Sequence, residues 1–154
     1  MTSFDTVDLN ILALIQKNAR YTIKEMAQQL NLSTTPVFER IKRLEKQGII
    51  QKYIAVLDPD KLGKKLRAFV NISLKDHSKK AVDAFVDKVV SYPEVMECYH
   101  VTGDSDFLLN VMVEDIERYN YFVVSKLSIV PNIGKLETQF SLSVRKKTQA
   151  YHLE

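Results

Sequence analysis

The stretch TIKEMAQQLNLSTTPVFERIKRLEKQG, residues 22–48, decides the fold of the first third of the chain. Thr22 and Glu25 stand in the Thr-x-x-Glu spacing of a capping box, in which two side chains satisfy two otherwise orphaned helix amides. A short helix is expected from there, with Ile23, Met26, Ala27 and Leu30 on its buried face. Asn31-Leu32-Ser33 then makes a tight turn. Ser33 is placed to cap a second helix, and Pro36 is tolerated because it sits in the first turn of that helix. Val37, Ile41 and Leu44 share one side of it, and Gly48 supplies the C-terminal stop. Two helices joined by so short a turn form a helix-turn-helix.

Projection at about 100° per residue puts Thr35, Glu39, Lys42, Arg43 and Lys46 opposite the apolar side of the second helix, with Arg40 at the flank. That face suits a DNA major groove. Arginine and lysine reach guanine edges or phosphates, threonine donates to phosphates, and glutamate accepts from cytosine N4. The start of such a helix lies close to the DNA, so Ser33, Thr34 and Thr35 join Glu39, Arg40, Lys42 and Arg43 as candidate DNA contacts. The alternative reading is a generic three-helix domain with a charged outer face.

Upstream, the apolar positions between Val7 and Ile15 fit an amphipathic helix with Asp5 as its cap. Downstream, Ile49 to Leu57 is β-branched and aromatic and ends at Asp58-Pro59, so it reads as a strand or a short wing beside the helices. Residues 59–65 read as a linker. The expected division is therefore 1–58, a winged helix-turn-helix; 59–65, a linker; and 66–154, a second domain.

In the second domain, Leu66 to Leu74 alternates, with Leu66, Ala68, Val70, Ile72 and Leu74 facing one way: a strand with one buried face. Lys79 to Tyr92 is a helix halted before Pro93. Val95 to Val101 and Phe107 to Val113 are strands around the turn Thr102-Gly103-Asp104-Ser105-Asp106. Ile116 to Leu127 is a helix, and Ile133 to Val144 a last strand. The order βαββαβ makes this a ferredoxin-like sandwich, and the whole chain an α+β protein. Such a sandwich leaves one sheet face bare, and a first domain of about 60 residues is marginal alone. Both point to a homodimer.

Composition narrows the class. The 154 residues hold 22 basic and 19 acidic side chains, a net charge of +3, which by itself announces no nucleic acid. Yet Arg40 to Lys52 carries five positive charges against Glu45 alone, and Lys61, Lys64, Lys65 and Arg67 form a second cluster. A single cysteine, Cys98, rules out an internal disulfide framework. Met1 to Asp5 does not resemble a signal peptide, and no apolar run approaches the ~18 residues of a membrane span, so a cytoplasmic protein is expected.

No metal site, cofactor or enzyme is expected either. His77, His100 and His152 are scattered, and Cys98 with His100 supplies two ligands at most, too few for a site. No nucleotide-binding or hydrolase motif appears.

Several of these residues resemble those of the Lrp/AsnC family of transcriptional regulators. The N-terminal match is Asp5-x-x-Asp8-x-x-Ile11-Leu12, Asn18-Ala19-Arg20, Leu32-Ser33 and Val37-x-x-Arg40-Ile41-x-Arg43-Leu44-Glu45-x-x-Gly48-Ile49-Ile50. The C-terminal match is Val95-x-Glu97-Cys98 and Val101-Thr102-Gly103-Asp104-Ser105-Asp106. The resemblance implies a sequence-specific regulator that binds double-stranded DNA and an amino-acid effector. It also implies dimers through the sheet faces, which often build tetramers or octamers. It places the effector near the Gly-Asp-x-Asp loop, at Thr102, Gly103, Asp104 and Asp106, and near a Thr-x-Thr pair on the last strand. Here that pair is Leu136-Glu137-Thr138, so its first hydroxyl is missing. The loop suits the chemistry: Gly103 permits a positive φ, turn amides can hold a carboxylate, and Asp104 or Asp106 can pair with an ammonium group. A plain β-hairpin turn uses the same residues. Two rivals share the architecture, a weakly specific architectural DNA-binding protein and a sirohaem-decarboxylase-like enzyme.

Overall fold

The computed structural model describes residues 4–153; Met1 to Ser3, on which the expectation about a signal peptide partly rests, and Glu154 lie outside the described residues. The chain forms two compact units. One runs to Val56 and takes in the segment from Lys146 onward, and the other is Leu57–Arg145. The sequence division gives that tail to the second domain; it groups instead with the first, where the Tyr151 amide donates to Gln16 Oε1 at 2.6 Å and its carbonyl accepts from Gln16 Nε2 at 3.1 Å.

The first unit holds α1 (Thr6–Lys17), α2 (Ile23–Leu30) and α3 (Thr34–Lys46). Asp5 caps α1 in a reciprocal box with Asp8, and Thr22 and Glu25 form the expected box on α2. Ser33 stands at the N-cap of α3, but its side chain makes no cap hydrogen bond. A cap serine serves the second or third helical amide, and Pro36 at the third position has none, which leaves Thr35 alone to serve. Gly48, at φ +72°, turns the chain back so that the Ile49 and Ile50 amides both reach the Leu44 carbonyl. Ile11, Met26, Ala27, Val37, Ile41 and Leu44 form the core.

Residues 49–57 do not form a strand. A strand needs a neighbour for its ladder, and the described part of this unit offers none. The segment is irregular and is tied to α3 by the Tyr53 hydroxyl, which donates to Glu45 Oε1 at 3.0 Å. Partial burial and the Glu45 carboxylate push the Tyr53 phenol up to about 12.

The second unit is an antiparallel sheet of β1 (Leu66–Leu74), β2 (Val95–His100), β3 (Phe107–Val113) and β4 (Ile133–Phe140), in the spatial order β2-β3-β1-β4. Helices α4 (Lys79–Val90) and α5 (Ile116–Phe122) pack on it. Ala68, Val70, Ile72 and Leu74 of β1 meet Phe107, Leu109, Val111 and Val113 of β3 in the core, with Phe85, Val89, Tyr119 and Phe122 from the helices. The alternate residues, Arg67, Phe69 and Asn71 of β1 among them, point to the other sheet face.

Four ends differ from expectation. β2 stops at His100, one residue before Val101. α4 stops at Val90, where the Ser91 and Tyr92 amides turn back to Lys88 and Val89. The second helix does not stay α-helical to Leu127: Val123–Leu127 widens into a π-helical turn, closed by the Ser128 amide on the Val123 carbonyl at 2.9 Å, and Leu127 and Val130 are both buried beyond it. β4 stops at Phe140 because its partner runs out: Phe140 pairs with Ala68, and one more bond, from the Ser141 amide to the Arg67 carbonyl, ends the ladder.

Candidate functional site

Helix α3 presents two distinct charged sides. Toward α1, Asp8 is 1% exposed, a carboxylate almost wholly out of water. Arg43 Nη2 donates to both of its oxygens, at 2.6 and 2.5 Å, and Arg40 Nη1 donates to it at 2.8 Å and to Asp5 at 2.6 Å. Hydrogen bonds to Asp5 and Asp8 raise the Arg40 guanidinium further above its ordinary value. The amide of Asp8, and then Arg40, hold the Asp5 carboxyl below the usual carboxylate range. A buried carboxylate requires this company, because a lone one loses several kcal/mol of hydration. Arg40 and Arg43, both candidate DNA contacts by sequence, therefore spend donors on the fold. Arg43 still shows about half of its side chain to water, at 47%.

Away from α1, Ser33, Thr34, Thr35, Glu39, Lys42 and Lys46 are all exposed. Lys42 pairs with Glu45 at 2.8 Å, and its ammonium lies 5.8 Å from the centre of the Phe38 ring. Phe38 is itself exposed on this side. An apolar ring carries no polar signal of DNA contact, so sequence reasoning from charges misses Phe38.

In the second unit, the loop between β2 and β3 is pinned to β1. The Asp106 amide donates to the Ile72 carbonyl, and Asp106 Oδ2 accepts from the Leu74 amide at 2.7 Å. Ser73 Oγ donates to the Asp104 carbonyl at 3.1 Å. Asp106 Oδ1 meets His77 Nε2 at 3.0 Å. The Leu74 amide, helped by His77, holds the Asp106 carboxyl below its ordinary range. Asp106 is thus occupied by the fold. Gly103 has φ +118°, and its left-handed backbone is the reason for a glycine there.

The six effector candidates do not converge on one place. Thr102 and Asp104 line a polar hollow of about 240 Å³ with Asn71, Val101, Ser105 and Glu137. Leu136 and Thr138 line a larger, mostly apolar hollow of about 500 Å³ beside α5, with Ile116, Tyr119, Val123 and Phe140. There the Thr138 hydroxyl is hydrogen-bonded to the Tyr119 hydroxyl. Period two along β4 explains the split: 136 and 138 face the helices, and 137 faces the other side with Asn71, its register partner. Glu137 is paired with Lys135 at 2.8 Å, and the Lys135 ammonium is raised by Glu137 first and by Asp104 last. The two charged groups that line the small hollow, Asp104 and Glu137, are both acidic, and the Lys135 ammonium stands beside Glu137; the larger hollow has Glu117 and Asn120 among its apolar residues. Asn71, Lys135 and Glu137 were within reach of sequence reasoning through the strand alternation.

A sequence-family model described as winged helix-turn-helix DNA-binding matches residues 4–51, and one described as Lrp/AsnC ligand binding domain matches residues 67–151. The DNA-binding transcriptional activator DecR of Escherichia coli is 35% identical over 150 residues, 97% of this chain and 99% of DecR. The Bkd operon transcriptional regulator of Pseudomonas aeruginosa is 34% identical over 142 residues, 92% of this chain and 93% of that protein. A transcriptional regulator of Neisseria meningitidis, solved as a complex with L-Met, superposes with a TM-score of 0.92 and 31% identity, over 97% of each chain. Among the described residues no helix is long and apolar enough to cross a membrane.

Two outcomes are expected from the local geometry. Arg40→Ala combined with Arg43→Ala strands the Asp8 carboxylate and should cost about 3–5 kcal/mol in urea unfolding; adding Asp8→Ala should recover part of that, and a triple variant no more stable than the double would contradict the pairing. The lowered Asp106 carboxyl stabilises the loop above the ordinary aspartate pKa of about 4, and that contribution is lost as pH falls through the folded value. Hydrogen exchange at the Leu74 amide should accordingly lose protection in acid, and Asp106→Asn should abolish this pH dependence.

Proposed function

The chain belongs to the Lrp/AsnC family of transcriptional regulators, and from that premise we propose that α3 docks in the major groove while the polar hollow by the β2–β3 loop takes an amino-acid effector. Thr34, Thr35, Glu39, Lys42 and Lys46 make the outward contacts. Arg43, held by Asp8, turns its remaining nitrogens to a phosphate, and Arg40 chiefly sets the angle of α3. The chain works as a regulator rather than an enzyme, in the cytoplasm beside the DNA.

One observation carries the effector reading: the hollow brings Asp104 and Glu137 together with the Lys135 ammonium close by. An α-amino acid offers an ammonium for the carboxylates and a carboxylate for Lys135 or the loop amides. The Lys135–Glu137 pair is exposed and so gives way cheaply to a ligand. The relative solved with L-Met binds a molecule of this class. To regulate, the effector has to bind one assembly of the protein more tightly than another.

The second copy is expected on the free face of the sheet. Phe69 and Met112 lie there, and Arg67 Nε and Asn110 Oδ1 are buried on that side without hydrogen-bond partners among the described residues. Stranded polar atoms of this kind normally find a partner.

Two measurements test the proposal. Footprinting should give half-sites about one helical turn apart, and sedimentation at micromolar concentration should give a dimer or a multiple of one; uniform coverage or a stable monomer would refute it. In a thermal-shift screen of the twenty amino acids, at least one should raise the melting temperature with concentration. Asp104→Ala should remove that response and spare DNA binding; an intact response would place the effector elsewhere.

A further inference from the structure

Phe38 is the one large apolar side chain of α3 left in water, 48% exposed, while Val37, Ile41 and Leu44 are sealed in the core. It takes no part in that core. Along α3 it lies about 60° from Thr35 and about 40° from Lys42, on the rim opposite the arginines that face α1. Its neighbours are polar: Lys42, one turn on, reaches over its ring, and Glu45 holds that ammonium. A ring in this position lies outside the core of its own unit. Lys42 and Glu45 beside it can bind phosphates or base edges but cannot recognise an apolar feature of DNA, and of its neighbours only threonine offers a methyl group, far smaller than the ring. The major groove offers one such feature, the C5-methyl group of thymine, against which phenylalanine packs.

We infer that Phe38 is a specificity-determining residue that reads a thymine methyl group in each half-site, with Lys42 beside it fixing the register on a phosphate or a guanine edge. This rests on the docking of α3 proposed above. It also gives the exposed ring its occupant: the methyl and ring bury one another only when the correct base stands at that step, so the contact discriminates where the flanking lysines cannot.

The test uses the full-length protein and a duplex selected by it from a random library. Each thymine is replaced in turn by deoxyuridine, which lacks only the methyl group. The wild-type chain should lose about fourfold in affinity at one position per half-site, the size expected for one buried methyl group, and little elsewhere. Phe38→Ala should bind the thymine duplex more weakly and no longer distinguish it from the deoxyuridine duplex. Phe38→Leu, which keeps an apolar surface, should retain part of the preference. Circular dichroism and sedimentation should be unchanged in both variants, because the ring is outside the core. Equal sensitivity of wild type and Phe38→Ala at every position would overturn the inference, as would a change of oligomeric state in Phe38→Ala, which would make the ring a protein contact. Thr35→Ala and Lys42→Ala separate this from the docking itself. If they weaken binding and the methyl effect is absent, Phe38 alone is misassigned. If they and Phe38→Ala all leave affinity and salt dependence untouched, α3 is not the recognition helix.

Discussion

A carboxylate sealed from water governs the first unit. Asp8 cannot be buried unaccompanied, and its companions come from α3, some thirty residues further along the chain. An apolar trio of the same volume would pack as well and cost nothing in hydration. The charges add direction: Arg40 and Arg43 reach Asp8 together only when α3 is turned so that Val37, Ile41 and Leu44 face the core. That rotation leaves Thr35, Glu39, Lys42 and Lys46 pointing outward. The outward side of α3 is therefore fixed by the pairing of Arg40 and Arg43 with Asp8.

The second unit uses hydrogen bonds to similar effect. Its β2–β3 loop could be an ordinary hairpin turn, yet Asp106 binds it to the Leu74 amide and Ser73 holds the Asp104 carbonyl. The turn is held against the end of β1, and Thr102 and Asp104 are brought beside Asn71 and Glu137. A rigid sheet thus carries an irregular loop at fixed distance from charges on a different strand. An effector bound there, as proposed above, would meet a hollow already ordered by the fold.

Much of this was legible in the residues, and the exceptions share causes. The caps of α1 and α2, β1 and β3, and the βαββαβ order follow from spacing and alternation, which depend on neighbours close in sequence. Ser33 makes no cap hydrogen bond, and Pro36 removes one of the two amides it could serve. The run 49–57 has strand composition but no strand beside it. β4 stops where β1 begins, a limit written in a segment about seventy residues away. Leu136 and Thr138 face the helices, whereas Glu137 between them faces the polar hollow by the loop. Arg40 and Arg43 look like free cations in a basic helix, and nothing near them in sequence reveals Asp8 as their partner.

The sequence by itself determined the architecture: a helix-turn-helix followed by a ferredoxin-like sandwich, with a basic third helix and a Gly-Asp-x-Asp turn. It could do so because helix and strand periods, capping boxes and turn residues are local. Only the tertiary structure decided which cations remain available, which carboxylates are already taken, and which side of β4 meets the loop. Those outcomes depend on burial and on partners brought together from distant segments. The energy of a charge is set by its surroundings in space, and its neighbours along the chain do not reveal them.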